Sequence, residues 1–298
     1  MKVSVLIPAY HAGAYILGAL QSVRTQLHAD WEVIVVEDGS RDTTASQVEA
    51  FAASVSQSVS YRNLGSNCGV GTARNRLLEL ASGKVIAFLD ADDTWQPTHL
   101  QSAIQHLTQG ADVVIASVRT VDLATQEYLQ TVTPPDTLLH DPVLTLFRTS
   151  AIITSSSVVL TRTLAERVGQ FDPTLRIGED RDYWLRCALE GARFALTGEF
   201  TCHYAKHAGS SMAHTTRVAE HELRFYEKYR GLTDVPVGLR RHLLADSLVS
   251  LGRLLRGKEP QRSASYFWRA WRCEPMNLRI PVHLAFTGWR SVAASPSQ

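Results

Sequence analysis

The run Val85-Ile86-Ala87-Phe88-Leu89 enters Asp90-Ala91-Asp92-Asp93 with no polar residue between, and this junction constrains the chain more than any other stretch. Five apolar residues bounded by Gly83-Lys84 and by Thr94 to Pro97 suit a strand buried on both faces. Its carboxylates then stand at the strand's carboxyl end, where open α/β sheets gather their ligands. Alternate residues of an extended chain share a face, so Asp90 and Asp92 can turn together toward a divalent cation, and such a cation can bridge to a diphosphate. Helix initiation accounts for the same residues differently, with Thr94 as N-cap, Pro97 in the first turn, and Asp92 and Asp93 at the positive helix end. The residues alone leave both readings open.

Upstream, the chain alternates strands and helices. Val3-Ser4-Val5-Leu6-Ile7 predicts a strand stopped at Pro8, Ile16, Leu17, Leu20 and Val23 fall at helical spacing within 12–26, and Trp31 to Val36 predicts a second buried strand. That strand also runs into acids, Glu37-Asp38, followed by the turn Gly39-Ser40 and a helix near Asp42-Thr43-Thr44. A short strand over 58–62 leads through Asn67-Cys68-Gly69-Val70-Gly71 into a helix bearing Arg74. Glycines at a helix entry permit close backbone approach to a ligand. A G-x-G placed after a loop, without a third glycine, is not a dinucleotide fingerprint. Arg74 is placed to reach an anion or a ribose, or simply to face solvent.

A helix over 97–109 and a strand over 112–117 extend the alternation, which predicts a doubly wound sheet. Residues 119–150 break the pattern, with Pro134-Pro135 in a loop and Asp141-Pro142 opening a short helix. Ser155 to Leu160 returns to strand, and Thr161 caps a helix to Val168. Gly178-Glu179-Asp180 precedes a further helix, where the acids either complement the helix dipole or supply a general base. His203 to Met212 reads as a loop, and helices are predicted over 214–229, 237–256 and 260–272. Leu251-Gly252, Ala264, Tyr266, Ala270 and Pro275 resemble a single tetratricopeptide unit, too little for a repeat array.

Thirty Lys and Arg balance 29 Asp and Glu, so overall charge offers no argument for a nucleic-acid partner. Cys68, Cys187, Cys202 and Cys273 are far apart and read as free thiols of a reducing compartment. Neither a signal peptide nor a membrane-spanning run is expected, which points to a cytoplasmic protein. Residues 281–292 mix Leu284, Phe286 and Trp289 with Arg290 and suit either packing on the rest of the chain or peripheral contact with the inner face of a membrane.

Five stretches in fixed order carry a resemblance: Val5-Leu6-Ile7-Pro8-Ala9-Tyr10, Val36-Glu37-Asp38-Gly39-Ser40, Gly69 to Asn75, Leu89 to Asp93, and Gly178 to Arg186. Together they resemble the inverting glycosyltransferases of family 2, over residues 3 to about 212. The resemblance implies a GT-A fold, an α/β Rossmann-like and mostly parallel sheet flanked by helices, as a catalytic domain over 1–212, with a helical region over 213–298. It implies a nucleotide-sugar donor, UDP-linked by expectation, and a glycan or lipid-linked glycan acceptor. Pro8, Ala9, Tyr10, Glu37, Asp38, Gly71, Arg74, Asp90, Ala91 and Asp92 would line the donor, Tyr10 beside the base and Asp38 on its imide. Asp92 and His207 would hold a Mg or Mn ion, Asp180 would be the general base and Trp184 would wall the acceptor side. His11 stands where the family often has Asn, Glu37 where it often has Asp, and Ala205 where an arginine is frequent.

The implied reaction is a single displacement with inversion. Two other readings compete: a nucleotide-sugar-binding scaffold without catalysis, and a nucleotidyltransferase. The second lacks a Gly-rich basic loop directly after the first strand, where this chain has His11-Ala12-Gly13.

Overall fold

The computed structural model describes residues 1–125, 127–149, 154–206 and 215–283 of the 298-residue chain. The chain divides into two compact units, Met1–Ala208 and Gly209–Gln298.

The first unit opens with β1 (Val3–Ala9), α1 (Ile16–Arg24), β2 (Trp31–Glu37), α2 (Thr44–Ala52), β3 (Val59–Asn63), α3 (Val70–Leu80) and β4 (Val85–Phe88). β1 pairs in parallel with β2 on one side and β4 on the other, and β2 with β3. Every residue of β1, β2 and β4 is buried, as continuous apolar strands between two helical layers require. α1 turns Ile16, Ala19, Leu20 and Val23 onto this core, whereas Leu17 is 47% exposed on the opposite side.

The second half contains β5 (Thr94–Trp95), α4 (His99–Thr108), β6 (Val113–Asp122), β7 (Tyr128–Val132), α5 (Thr137–His140), α6 (Pro142–Arg148), β8 (Val158–Thr161), α7 (Arg162–Val168), α8 (Glu179–Leu189) and β9 (Phe194–Lys206). Among the described residues, the sheet runs β3-β2-β1-β4-β8-β6-β9-β5, with β7 on β6. β8 lies between β4 and β6 and is antiparallel to both, so the simple doubly wound, mostly parallel sheet expected from the alternation gives way to a mixed one. Thr161 and Asp141 cap α7 and α6, accepting from the amides of Leu164 and Leu144.

Helix initiation at Thr94 is corrected by the structure. Thr94 and Trp95 pair with His203 and Cys202, the Trp95 indole donates to the Ser156 carbonyl at 2.7 Å, and α4 begins only at His99. Strand pairing captures Thr94 and Trp95, which the helix-initiation alternative placed at a helix start. The expected break at 119 and loop at 203 also move: β6 continues to Asp122 because Arg119 to Asp122 pair with His203 to Lys206 of β9.

The second unit contains α9 (Thr215–Lys228), α10 (Val237–Leu255) and α11 (Pro260–Cys273). Leu248, Leu251, Leu255 and Ala270 belong to its core. A Cβ on Gly252 would lie 2.9 Å from the Phe267 ring, so glycine permits the close approach of α10 and α11 that Ser263 seals by donating to the Gly252 carbonyl at 2.6 Å. Among the described residues no helix is long and apolar enough to cross a membrane.

Candidate active site

β1, β2 and β4 end at the same edge of the sheet. The Asp38 amide donates to the Ala9 carbonyl and the Leu89 amide to the Leu6 carbonyl, which keeps the three strand ends in step. Pro8 and Ala9 are buried in β1, and Tyr10 beyond them is 51% exposed with its ring edge-on to His11. His11 has φ +50, in a region most side chains avoid and Asn, Asp and His enter most readily. The His11 amide donates to the Ser40 hydroxyl, which in turn donates to the Glu37 carboxylate.

Asp38 accepts the amides of Cys68 and Gly69 at 2.7 and 2.8 Å. It thereby fixes the loop that opens α3. Gly39, at φ +84, admits no side chain, since a Cβ would fall 2.5 Å from Ser66 Cα. Glu37-Asp38-Gly39-Ser40 thus locks two loops, the one after β1 and the one that opens α3, to the end of β2.

The acidic turn after β4 is held by a residue that motif reading missed. The Ser156 hydroxyl donates to Asp93 Oδ2 at 2.5 Å and accepts the Asp90 amide at 3.0 Å, while Asp93 Oδ1 accepts the Ala205 amide at 2.8 Å. Burial, then the neighbouring charges of Asp92 and Asp90, pushes Asp93 well above the usual carboxylate range. Asp93 thus fastens β4 to β9, while Asp90 and Asp92 remain only partly buried. The signal for Ser156 was a serine triplet at the head of an apolar strand.

α8 carries Glu179 and Asp180 in its first turn, after Gly178 in the left-handed region. Arg74 reaches them from α3. Its guanidinium donates to Glu179 Oε1 at 2.5 Å and to Asp90 Oδ1 at 2.8 Å, and lies over the Phe171 ring. Burial opposes its charge, but the fields of Asp90, Glu179 and Asp180 more than offset that and raise its pKa. Burial drives Glu179 up to about 7 against the pull of Arg74, with Asp180 adding to the rise. Asp180 is raised by burial too, again against Arg74. One cation cannot neutralise three carboxylates in a site of low polarity, so their ionised forms compete. The hydroxyl of Tyr204 is pushed up to about 12 by burial and then by the charges of Asp93, Asp92, Asp90 and Asp180.

Four residues expected to line the ligands are packed against protein partners. Arg74 is 3% exposed and paired with two carboxylates, so it bridges α3, the turn after β4, and α8. Gly71 faces Phe171 and the backbone of Asp172 and Pro173, the nearest atom 3.5 Å from a Cβ, so its small size serves helix packing. Trp184 is 1% exposed and sits edge-on to Phe88 and Tyr183, in a cluster where Phe171 stacks on Tyr183 at 4.0 Å. It anchors α8 from within the core. Glu37 is likewise fully buried and acts through Ser40. His207 lies outside the described residues, and among these no cluster of three or more metal-ligating side chains occurs.

The backbone closely follows solved structures. A Staphylococcus aureus TarS fragment, 1-349, in complex with UDP-GlcNAc superposes with a TM-score of 0.69 over 98% of this chain and 89% of that one, at 19% identity. The mannosyltransferase PcManGT from Pyrobaculum calidifontis, in complex with GDP-Man and Mn2+, gives 0.61 over 99% and 81%, at 20% identity. The fold is GT-A, a mixed sheet with helices on both faces and a helical C-terminal region, and the molecule is a glycosyltransferase. The sequence model of glycosyl transferase family 2 matches residues 4–168, and the chain belongs to that family. TuaG of Bacillus subtilis (strain 168), named as a teichuronic acid biosynthesis glycosyltransferase, is 31% identical over 193 residues, which are 63% of this chain and 73% of TuaG. The chain spans only 27 to 41% of the length of several other relatives.

Proposed function

We propose that this protein transfers a sugar from a UDP-sugar to a hydroxyl of a glycan or lipid-linked glycan in polysaccharide assembly, on the cytoplasmic side, with inversion at the anomeric carbon. The observation that carries the reading is the Arg74 bridge, which brings the acidic end of β4 and the first turn of α8 to one place. The UDP-GlcNAc complex of the structural neighbour and the name of TuaG support the donor and polymer classes. Residues 1–212 form the catalytic domain in this reading, and the C-terminal helices make peripheral contact with a membrane.

Tyr10 is the exposed ring at the base end of the donor, and Asp38 retains acceptor capacity for a base imide beyond its two amide bonds. Asp180, half-buried at the start of α8, takes the proton of the acceptor hydroxyl as that oxygen bonds to the anomeric carbon and the bond to the diphosphate breaks. A raised pKa suits a base working near neutral pH.

The partly buried Asp92 fits a Mg or Mn ion, because such ions take one or two protein carboxylates and complete their shell with diphosphate oxygens and water. Asp92 would hold the ion together with His207. Bound there, it would supply Lewis-acid stabilisation of charge on the diphosphate.

Calorimetric titration of UDP with and without Mn, on the native chain and Asp92→Ala, tests the reading. Mn should tighten UDP binding in the native chain and do so far less in the variant. Equal Mn dependence in both would remove Asp92 from the role, and no UDP binding at all would sink the donor assignment.

A further inference from the structure

We infer that the C-terminal unit docks on anionic phospholipid through Trp268 and Trp271 of α11 and the segment that follows it, a step that rests on the peripheral-membrane part of the proposed function. The charge of the chain is sharply divided. Residues 1–208 carry 16 Lys and Arg against 22 Asp and Glu, whereas residues 209–298 carry 14 against 7, so a formal +7 lies in the shorter unit and is hidden in a total of +1. A charge asymmetry of this size selects an anionic partner for the second unit.

The apolar side chains exposed there say which kind. Trp268 and Trp271 stand one turn apart on α11, 49% and 39% exposed, while the buried face of the same helix is formed by Ser263, Phe267 and Ala270. The Arg272 guanidinium lies 4.8 Å from the Trp268 ring centroid. Met276 and Leu278 follow at 91% and 79% exposure, next to Arg279. Tryptophan is the side chain that sits best at the level of lipid headgroups, and arginine places its stem along apolar surface with its charge at the phosphates. An acidic glycan would also engage tryptophan and arginine. It would gain little from Met276 and Leu278, whose aliphatic chains are stabilised by acyl chains. A nucleic acid leaves those two residues equally unexplained. Acyl contact together with headgroup charge is the combination that holds amphipathic surfaces in the interface plane.

The test uses the full chain and vesicles without donor, so its failure is separable from failure of the catalytic reading, which is followed by Mn-dependent UDP binding in the same samples. The native chain should co-sediment with mixed phosphatidylglycerol–phosphatidylcholine vesicles and not with pure phosphatidylcholine, and its tryptophan emission should be quenched by brominated acyl chains. Trp268→Ser/Trp271→Ser should lower partitioning at least about ten-fold, the scale of two interfacial apolar anchors. Arg272→Gln/Arg279→Gln should lower it about thirty-fold, from ~1 kcal/mol per basic residue near an anionic surface. Retained UDP binding in both variants confirms that they fold. Native-like partitioning of either variant, or no co-sedimentation of the native chain, overturns the assignment. Binding to heparin without acyl-chain quenching assigns the face to a soluble polyanion and overturns it too. Self-association abolished by Trp268→Ser would assign the face to a second copy of the chain, with the same consequence.

Discussion

Arg74 Nη1 and Glu179 Oε1 lie 2.5 Å apart across 105 residues of sequence, and this ion pair ties α3, from the N-terminal parallel half of the fold, to the helix that carries Asp180. Its second arm, to Asp90, makes one side chain the joint between three elements.

Arg74→Met should therefore destabilise strongly. It leaves the buried Glu179 carboxylate and the partly buried Asp90 without their cation, and stranding a buried charge costs about 3–5 kcal/mol. Arg74→Lys should recover only part of the loss, because an ammonium cannot span both carboxylates in the guanidinium's planar geometry. Urea unfolding checks both, and a cost below about 1 kcal/mol for the methionine variant would show that the bridge does not hold the fold.

Asp180→Asn should lower transfer by about 10²–10⁴-fold with UDP binding little changed. The same variant should melt higher than the native chain at neutral pH. The raised pKa of Asp180 means that folding resists its ionisation, so the native chain is penalised once pH exceeds the unfolded carboxylate pKa, and the difference should vanish in acid. Scanning calorimetry across pH reads the sign.

Glu179→Gln should move the ascending limb of kcat/KM to lower pH, since it removes a like charge and leaves Arg74 free to favour ionised Asp180. A limb that stays in place would separate Glu179 from the titration of the base.

Gly39→Ala should impair folding and donor binding together. The backbone there is at φ +84, and the added methyl meets Ser66 backbone at a distance no Cβ tolerates, so a cost above about 1 kcal/mol is expected from conformation alone before the clash. Wild-type melting would contradict the close approach of the two loops.

Glu32 supplies an acid-sensitive contact far from chemistry. Burial opposes its charge, but Lys2, Ser4 and Ser82 all donate to it, at 2.7, 2.6 and 2.8 Å, and hold it down at about 2. A depressed carboxylate contributes stability above its unfolded pKa and loses it as pH falls through the folded one, here between about 4.5 and 2. Glu32→Gln should cost roughly 2–3 kcal/mol at neutral pH and flatten the acid limb of the stability curve.

By itself the sequence determined the βαβ start of the fold and the residues that stand at its edge. Continuous apolar runs ending in acids, as at Phe88-Leu89-Asp90 and Val36-Glu37-Asp38, are local patterns, and burial follows from them directly. Tertiary structure alone decided what those residues touch. No local pattern places Arg74 beneath α8, Trp184 among Phe88 and Phe171, or Ser156 at the acidic turn, where β8 inserts antiparallel between β4 and β6. The reason is range: strand and helix signals lie within a few residues, whereas Ser156, Glu179 and Ala205 meet Asp93, Arg74 and Asp93 from 63 to 112 residues away, and their meeting depends on the order in which strands assemble.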